Sequence, residues 1–189
     1  MTIYFLRHAS AGKNRANPKQ DEKRPLDKEG ITQCREIGRA LAACDTQVDG
    51  IVSSPLKRAT QTAAMVGNEI GFEGGIKIEA ALRPDASYEH FREMLRKYSK
   101  FESIMVVGHN PNESEFCSLL LTEGDEPEVI DLKKCGVARV EYNGKNYAEL
   151  TWCITPRLVR ALQASSTDKS RPKTARRLSS YILCTRSEP

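Results

Sequence analysis

Length, composition and charge exclude several classes of protein. A chain of 189 residues, 39% hydrophobic and 29% charged, can form one domain with a buried core. Its longest uncharged runs have only ten residues, against the ~18 that a membrane span requires, and its N-terminus lacks a secretory signal. We therefore expect a soluble, cytoplasmic protein without a membrane partner. The net charge of +4 lies entirely within residues 165–189, so the rest of the chain shows no charge excess typical of nucleic-acid binding.

Hydrophobic periods predict strands and helices that alternate along residues 1–164. The predicted strands are 2–6, 50–53, 76–78, 103–107 and a hairpin of 136–142 with 147–152. The predicted helices begin near Asp27, Pro55, Ser87, Glu113 and Pro156 and end near 41, 70, 98, 121 and 164. Asp27 is expected to cap the first of them and Ser54 the second, with Pro55 at its first position. This alternation predicts an α/β fold, a three-layer sandwich with a mostly parallel central sheet and helices on both faces.

The segment 165–189 differs in character from the predicted domain of residues 1–164. It holds six basic and two acidic side chains, and up to Ser180 it shows no helical or strand period. We predict a flexible basic tail that could contact an acidic partner.

Arginine and histidine side chains follow the ends of three predicted strands. Arg7 and His8 end the first strand, and His109 follows the fourth. Arg58 lies in the first turn of the helix after the second strand. Ligands bind at the carboxyl ends of strands in open α/β sheets, and two arginines with two histidines at one rim suit a phosphoryl group. Each residue alone could equally be structural or solvated, and His90, inside a surface helix, is interpreted as non-functional.

Three motifs, in this order, resemble the histidine phosphatase superfamily. They are Leu6-Arg7-His8-Ala9, Ser54-Pro55-Leu56-Lys57-Arg58-Ala59-Thr60-Gln61-Thr62 and Gly108-His109-Asn110-Pro111. The alanine after His8, the Arg24-Pro25-Leu26 element and the small size resemble its short branch, the SixA-type phosphohistidine phosphatases. The resemblance covers the chain to about residue 155, and it implies a phosphoglycerate mutase-like fold.

This resemblance implies a role for each motif residue. His8 would be the nucleophile that forms a covalent phosphohistidine, so it must be neutral, with its other ring nitrogen donating to a fixed acceptor. Arg7 and Arg58 would hold the phosphoryl oxygens, and a protonated His109 would stabilise charge in the transition state. These groups do the neutralising that a metal does elsewhere, and the six cysteines form no close pair typical of a metal site. No metal or other cofactor is therefore expected.

Three further residues are candidates for substrate binding or acid catalysis. Asn14 lies six residues after the nucleophile, a spacing that matches a phosphate-contacting asparagine in the phosphoglycerate mutase branch, and Arg24 could add a donor at the rim. Either could also be an ordinary loop residue. Larger members of the superfamily carry a general-acid glutamate in the segment that corresponds to residues 79–85. No carboxylate falls clearly in that position here, which leaves Asp85 as the candidate acid and Glu79 as its alternative.

The sequence leaves three functions open. A sugar alkoxide needs a positioned acid, whose loss costs ~10²–10⁴-fold, whereas the imidazole of phosphohistidine leaves more easily. The favoured function is therefore a metal-independent phosphatase that acts on a histidine-phosphorylated protein or another labile phosphate. The alternatives are a small-molecule phosphomonoesterase and a non-catalytic phosphate-binding or scaffold module. The presence of all four motif residues argues against the non-catalytic alternative.

Overall fold

A six-stranded mixed sheet forms the centre of the fold. The computed structural model describes residues 1–13, 16–145 and 147–167. The strands are β1 (Thr2–Arg7), β2 (Gly50–Ser53), β3 (Lys77–Ile78), β4 (Ser103–Gly108), β5 (Val137–Tyr142) and β6 (Ala148–Ile154). The helices are α1 (Pro18–Glu22), α2 (Lys28–Ala43), α3 (Lys57–Glu69), α4 (Tyr88–Lys97), α5 (Asn112–Leu121) and α6 (Pro156–Thr167).

The strand order confirms the predicted, mostly parallel sheet and sets the place of the site. The order is β3-β2-β4-β1-β5-β6. Strands β1 to β4 pair in parallel, whereas β5 runs antiparallel to both β1 and β6. Arg7 of β1 pairs with Gly108 of β4, and Ser53 of β2 pairs with Val107. The carboxyl ends of β2, β4 and β1 therefore lie side by side at one edge, where ligands bind in sheets of this kind.

Alternating side chains give the sheet two apolar faces, and helices cover both of them. On one face Leu6 and Met105 pack with the apolar sides of α2 and α3 and with Val159 of α6. On the other face Phe5 and Val106 pack with the apolar sides of α4 and α5. The predicted three-layer α/β sandwich is therefore confirmed.

Local sequence signals predict the start of α2 correctly but not the start of α3. Asp27 caps α2 as predicted, because its side chain accepts a first-turn backbone N–H at 2.8 Å. The predicted start of α3 is wrong: the helix begins at Lys57, its N-cap is Leu56, and no side chain caps it. The hydroxyl of Ser54 contacts His109 instead.

Other elements differ from the sequence predictions in extent. Helix α1 and a short 3-10 helix at Ala80–Leu82 occupy segments without a long helical period. Helix α6 continues to Thr167 rather than ending near Ala164. Residues 168–189 lie outside the described residues, so the flexible tail stays a prediction. Within the described ranges, no helix is long and apolar enough to cross a membrane.

Candidate active site

The four motif residues meet at the carboxyl ends of β1, β2 and β4. The rings of His8 and His109 lie with their centroids 4.9 Å apart and their planes tilted by 54°. After burial, the positive charges of Arg58 and Arg7 are among the causes that lower the pKa of His8, which places both guanidinium groups near its imidazole. The structure therefore assembles the predicted set into one constellation.

His8 is a neutral imidazole with one ring nitrogen available for attack. Its Nδ1 donates to the carbonyl oxygen of Ala9 at 2.7 Å, which puts the ring proton on Nδ1 because a carbonyl can only accept. Burial, together with the nearby guanidinium charges, lowers the pKa of His8 to about 3. Nε2 therefore keeps its lone pair at neutral pH, as a nucleophile toward phosphorus requires.

Helices α2 and α3 hold the loop that follows β1. The backbone N–H of Ala9 donates to Thr62 Oγ1 at 3.1 Å, and that of Ser10 donates to Gln33 Oε1 at 2.9 Å. Gly30 permits this close approach, because a Cβ at that position would lie 2.0 Å from the carbonyl oxygen of Ser10. The backbone around the nucleophile is therefore fixed before substrate arrives.

The surroundings of His109 favour its neutral form, and a protonated His109 in the transition state stays a prediction. Burial and then the neighbouring charges of His8 and Arg58 lower its pKa to about 2. Its Nε2 lies 2.9 Å from the hydroxyl oxygen of Ser54, while its Nδ1 is buried without a hydrogen-bond partner in the described part of the chain. When the Ser54 hydroxyl donates to Nε2, the ring proton lies on Nδ1.

Arg7 and Arg58 are each anchored at one terminal nitrogen and retain a donor without a partner. Arg7 Nη1 donates to the carbonyl oxygen of Leu132 at 2.7 Å. Arg58 Nη1 donates to the backbone oxygen of Asp21 at 3.0 Å and to its Oδ2 at 3.1 Å. Both Nε atoms are buried without an acceptor among residues 1–13, 16–145 and 147–167. A buried donor without an acceptor costs ~1–3 kcal/mol, and guanidinium groups are preferred donors to phosphoryl oxyanions.

Of the two candidate substrate-binding residues, the structure describes Arg24 but not Asn14. Arg24 is buried, and its Nη1 donates to the carbonyl oxygen of Ala11 at 2.8 Å, in the loop after the nucleophile. Its Nε donates to Asp21 Oδ1 at 2.8 Å. Asn14 lies outside the described residues. Substrate binding by either residue stays a prediction.

The two candidate acids are engaged away from the histidines. Asp85 is 77% exposed at its side chain and pairs with Arg83 at 3.3 Å. Glu79 accepts a hydrogen bond from the hydroxyl of Tyr98 at 2.6 Å and pairs with Lys97. Neither carboxylate has a described hydrogen bond to His8 or His109, so acid catalysis by Asp85 or Glu79 stays a prediction.

A buried glutamate that we did not predict lies beside the site. Glu113 is 2% exposed and lies one helical turn after His109. Its backbone N–H donates to the carbonyl oxygen of His109 at 2.7 Å. Gly108 leaves room for it, because a Cβ there would lie 2.0 Å from Glu113 Oε2. Burial raises the pKa of Glu113 well above its ordinary value, which disfavours the charged form of its carboxyl group. A glutamate one turn after a motif histidine was the available signal, but a helix start also favours acidic residues for their charge alone.

Cationic and donor groups, rather than metal ligands, surround the histidine pair. Within the residues that the structure describes, no three or more His, Cys, Asp or Glu side chains are grouped so that they could hold a metal ion. The positive charges near His8 are those of Arg58, Arg7 and Arg24, which all lower its pKa.

A profile of the histidine phosphatase superfamily (branch 1) matches residues 3–84, which include the motifs around His8 and Arg58. The chain belongs to this superfamily. A curated relative is an uncharacterized protein of Picosynechococcus sp. that is 30% identical over 140 residues, 72% of this chain and 82% of that protein. Superfamily membership and the complete motif set identify the activity as that of a phosphatase.

Solved structures of the superfamily share the fold. The protein histidine phosphatase SixA complexed with tungstate is 21% identical, covers 83% of this chain and 98% of its own, and has a TM-score of 0.74. The α-ribazole phosphatase from Shigella flexneri is 17% identical, with coverages of 82% and 97% and a TM-score of 0.67. A mycobacterial glucosyl-3-phosphoglycerate phosphatase complexed with VO3 is 15% identical, with coverages of 80% and 97% and a TM-score of 0.61. These matches confirm the phosphoglycerate mutase-like α/β fold.

Proposed function

We propose that the protein hydrolyses phosphohistidine in a protein, or a similarly labile phosphate, through a covalent phosphohistidine on His8. The observation that carries the proposal is the state of the nucleophile. His8 Nδ1 is committed to the Ala9 carbonyl at 2.7 Å, so Nε2 is unprotonated and lies near two guanidinium groups that retain buried, unpartnered Nε donors. Such a set binds a phosphoryl group and presents it to the nucleophile.

Phosphoryl transfer occurs in two displacements. In the first, the Nε2 lone pair of His8 attacks phosphorus, and the bond to the leaving group breaks with its electron pair on that group. Arg7 and Arg58 donate to the phosphoryl oxygens, and His109, whose ring lies beside that of His8, stabilises the charge that gathers there. In the second, water attacks phosphorus, the bond to Nε2 breaks, and the products are inorganic phosphate and free His8.

The favoured substrate class follows from the carboxylates. With Asp85 and Glu79 bound to Arg83, Tyr98 and Lys97, a leaving group that departs without strong acid assistance suits this site. The imidazole of phosphohistidine is such a group. The similarity of the fold to that of a protein histidine phosphatase supports the same class.

A second candidate is a small-molecule phosphomonoesterase. The observation that favours it is Glu113, a buried carboxyl group one turn after His109 whose pKa is raised by burial, since an alkoxide leaving group needs a proton. The two small-molecule phosphatases that share the fold agree with this alternative. A non-catalytic scaffold is not supported, because the nucleophile, both arginines and His109 are all in place.

Competitive turnover discriminates the two candidates. We expect kcat/KM for a phosphohistidine peptide to exceed that for 3-phosphoglycerate by at least ~10²-fold, the contribution of a missing general acid, with p-nitrophenyl phosphate between them. EDTA should leave all three rates unchanged. A preference for 3-phosphoglycerate or another sugar or glycerate phosphate would contradict the phosphohistidine proposal and favour the phosphomonoesterase.

A further inference from the structure

One carboxylate joins two buried arginines at the site. Asp21 Oδ2 accepts from Arg58 Nη1 at 3.1 Å, and the Asp21 backbone oxygen accepts from the same nitrogen at 3.0 Å. Asp21 Oδ1 also accepts from Arg24 Nε at 2.8 Å, and its Oδ2 accepts from Arg24 Nη2 at 3.4 Å. Arg58 and Arg24 are only 5% and 7% exposed, so these ion pairs are shielded from water more than ordinary surface pairs.

The same network reaches the loop that carries the nucleophile. Arg24 Nη1 donates to the carbonyl oxygens of Ala11 and Gly12 at 2.8 and 3.2 Å, shortly after His8 in the chain. Asp21 therefore connects Arg58, through Arg24, to the loop that follows His8.

Helix α1, which carries Asp21, is held by polar contacts. None of its five residues is buried, so no apolar packing fixes its place. Its described side-chain contacts toward the domain include those of Asp21 with Arg58 and Arg24 and that of Glu22 with Arg83 at 2.6 Å. Contacts of this kind exchange more readily than a packed core does.

A carboxylate and a phosphoryl group can accept hydrogen bonds from the same N–H donors of a guanidinium group. Each presents oxygens in a plane that matches the fork of N–H donors. A carboxylate beside Arg58 also lowers the attraction of that arginine for any further anion, because its negative charge repels the anion. Ground-state affinity for phosphate is then weakened, which speeds catalysis only if the transition state is still well held.

We propose that Asp21 is a positioning residue with two effects: it fixes Arg58 for the transition state, and it lowers the affinity of the site for inorganic phosphate so that product is released. The proposal rests on the proposed function in assuming that Arg58 holds the phosphoryl group. It requires no particular phosphorylated substrate.

The test uses the full chain with Asp21→Asn, which keeps the shape and removes the charge, and Asp21→Glu, which keeps the charge and displaces it. Glu22→Gln is the matched control on the same helix. The readouts are kcat and KM with p-nitrophenyl phosphate and the binding of inorganic phosphate and orthovanadate by calorimetry. Calorimetry reports on the site even if phosphohistidine is not the substrate, so the two proposals fail separately.

For Asp21→Asn we expect phosphate to bind about fivefold more tightly or better while kcat falls about tenfold, the size of one partly buried charge-assisted contact. Asp21→Glu should bind phosphate within about twofold of wild type but lose kcat, and Glu22→Gln should change neither. Weaker or unchanged phosphate binding in Asp21→Asn would overturn the proposal, as would equally tightened binding in Asp21→Glu. If Asp21→Asn does not fold, Asp21→Glu decides alone. Its kcat must then fall while its affinity for phosphate stays within about twofold of wild type.

Discussion

The floor of the site, made by the ends of β1, β2 and β4, contrasts with the rim that α1 forms beside it. On the floor, Ser54 is fully buried and His109 is 2% exposed, and backbone hydrogen bonds fix the loop after β1. On the rim, α1 buries no residue and contacts the domain through ion pairs such as those of Asp21. We infer from this contrast that the chemistry belongs to the well-packed floor, and we propose that the polar contacts of α1 set the affinity of the site for anions.

The largest effect is expected on the floor, at the nucleophile. His8→Ala should reduce turnover by at least ~10³-fold, because the variant lacks the ring nitrogen that we propose attacks phosphorus. Binding of phosphate or vanadate should be largely retained, since both arginines remain. Steady-state kinetics and calorimetry check this, and more than a few per cent of wild-type activity would contradict a covalent role for His8.

The next largest effect is expected at Arg58, which contacts Asp21 of α1. Arg58→Lys keeps the positive charge but loses the planar fork that contacts both Asp21 and a phosphoryl group. We expect kcat/KM to fall by at least ~10²-fold, about 2.7 kcal/mol of transition-state stabilisation. A near-wild-type Lys variant would mean that Arg58 acts only by its charge.

A smaller effect is expected from the residue that orients His109. Ser54→Ala removes the hydroxyl 2.9 Å from His109 Nε2 and should lower kcat about tenfold, the weight of one buried hydrogen bond. Ser53→Ala is the matched control, since Ser53 is the buried neighbour of Ser54 at the end of β2 and its hydroxyl donates to a backbone oxygen at 2.9 Å. Equal losses in the two variants would show a general packing effect instead.

Acid should destabilise the floor rather than the rim. Burial lowers the pKa values of His8 and His109 to about 3 and about 2, whereas an unfolded histidine titrates near ~6.5. The unfolded chain therefore binds protons first, and this contribution to stability, complete above pH ~6.5, is lost as the pH falls toward 3. We expect the Tm to drop between pH 6.5 and 4, and less so in His8→Asn. His90 is exposed, so His90→Asn should show the same drop in Tm as wild type. A smaller drop in this variant as well would contradict the assignment of the effect to the buried histidines.

The smallest effect is expected far from both floor and rim. Removing residues 168–189, beyond the end of α6, takes away the net charge of +4 but none of the motif residues. Activity on p-nitrophenyl phosphate should stay within about twofold of the full chain, while any binding to an acidic protein becomes weaker and less salt-dependent. Loss of small-substrate activity would show that this segment supports the site.

Most of the fold follows from local sequence signals. Alternating apolar runs place β1 and β4, and helical periods place α2 to α5 within a few residues. The start of α3 is missed because Ser54 followed by proline is also the signal of a helix cap, and only the neighbouring strand turns its hydroxyl to His109. Helix α1 is missed because a helix that buries nothing has no hydrophobic period.

The site is predictable only in part for a related reason. Residues at strand ends meet by topology, so Arg7, His8 and His109 can be placed from the sequence. The charge states of the site residues cannot be predicted from the sequence, because the pKa of His109 depends on how deeply the folded chain buries its ring. The contact of Asp21 with Arg58 joins residues 37 positions apart in the chain, and neither residue alone indicates it.

Phosphorylation of His8 on Nε2 can be detected by rapid quenching of the enzyme with a labelled phosphohistidine peptide or acetyl phosphate. We predict one labile phosphate per chain that acid removes and base does not, mapped by mass spectrometry to His8 and absent from His8→Ala. Turnover without any such intermediate, or label on another residue, would contradict the account.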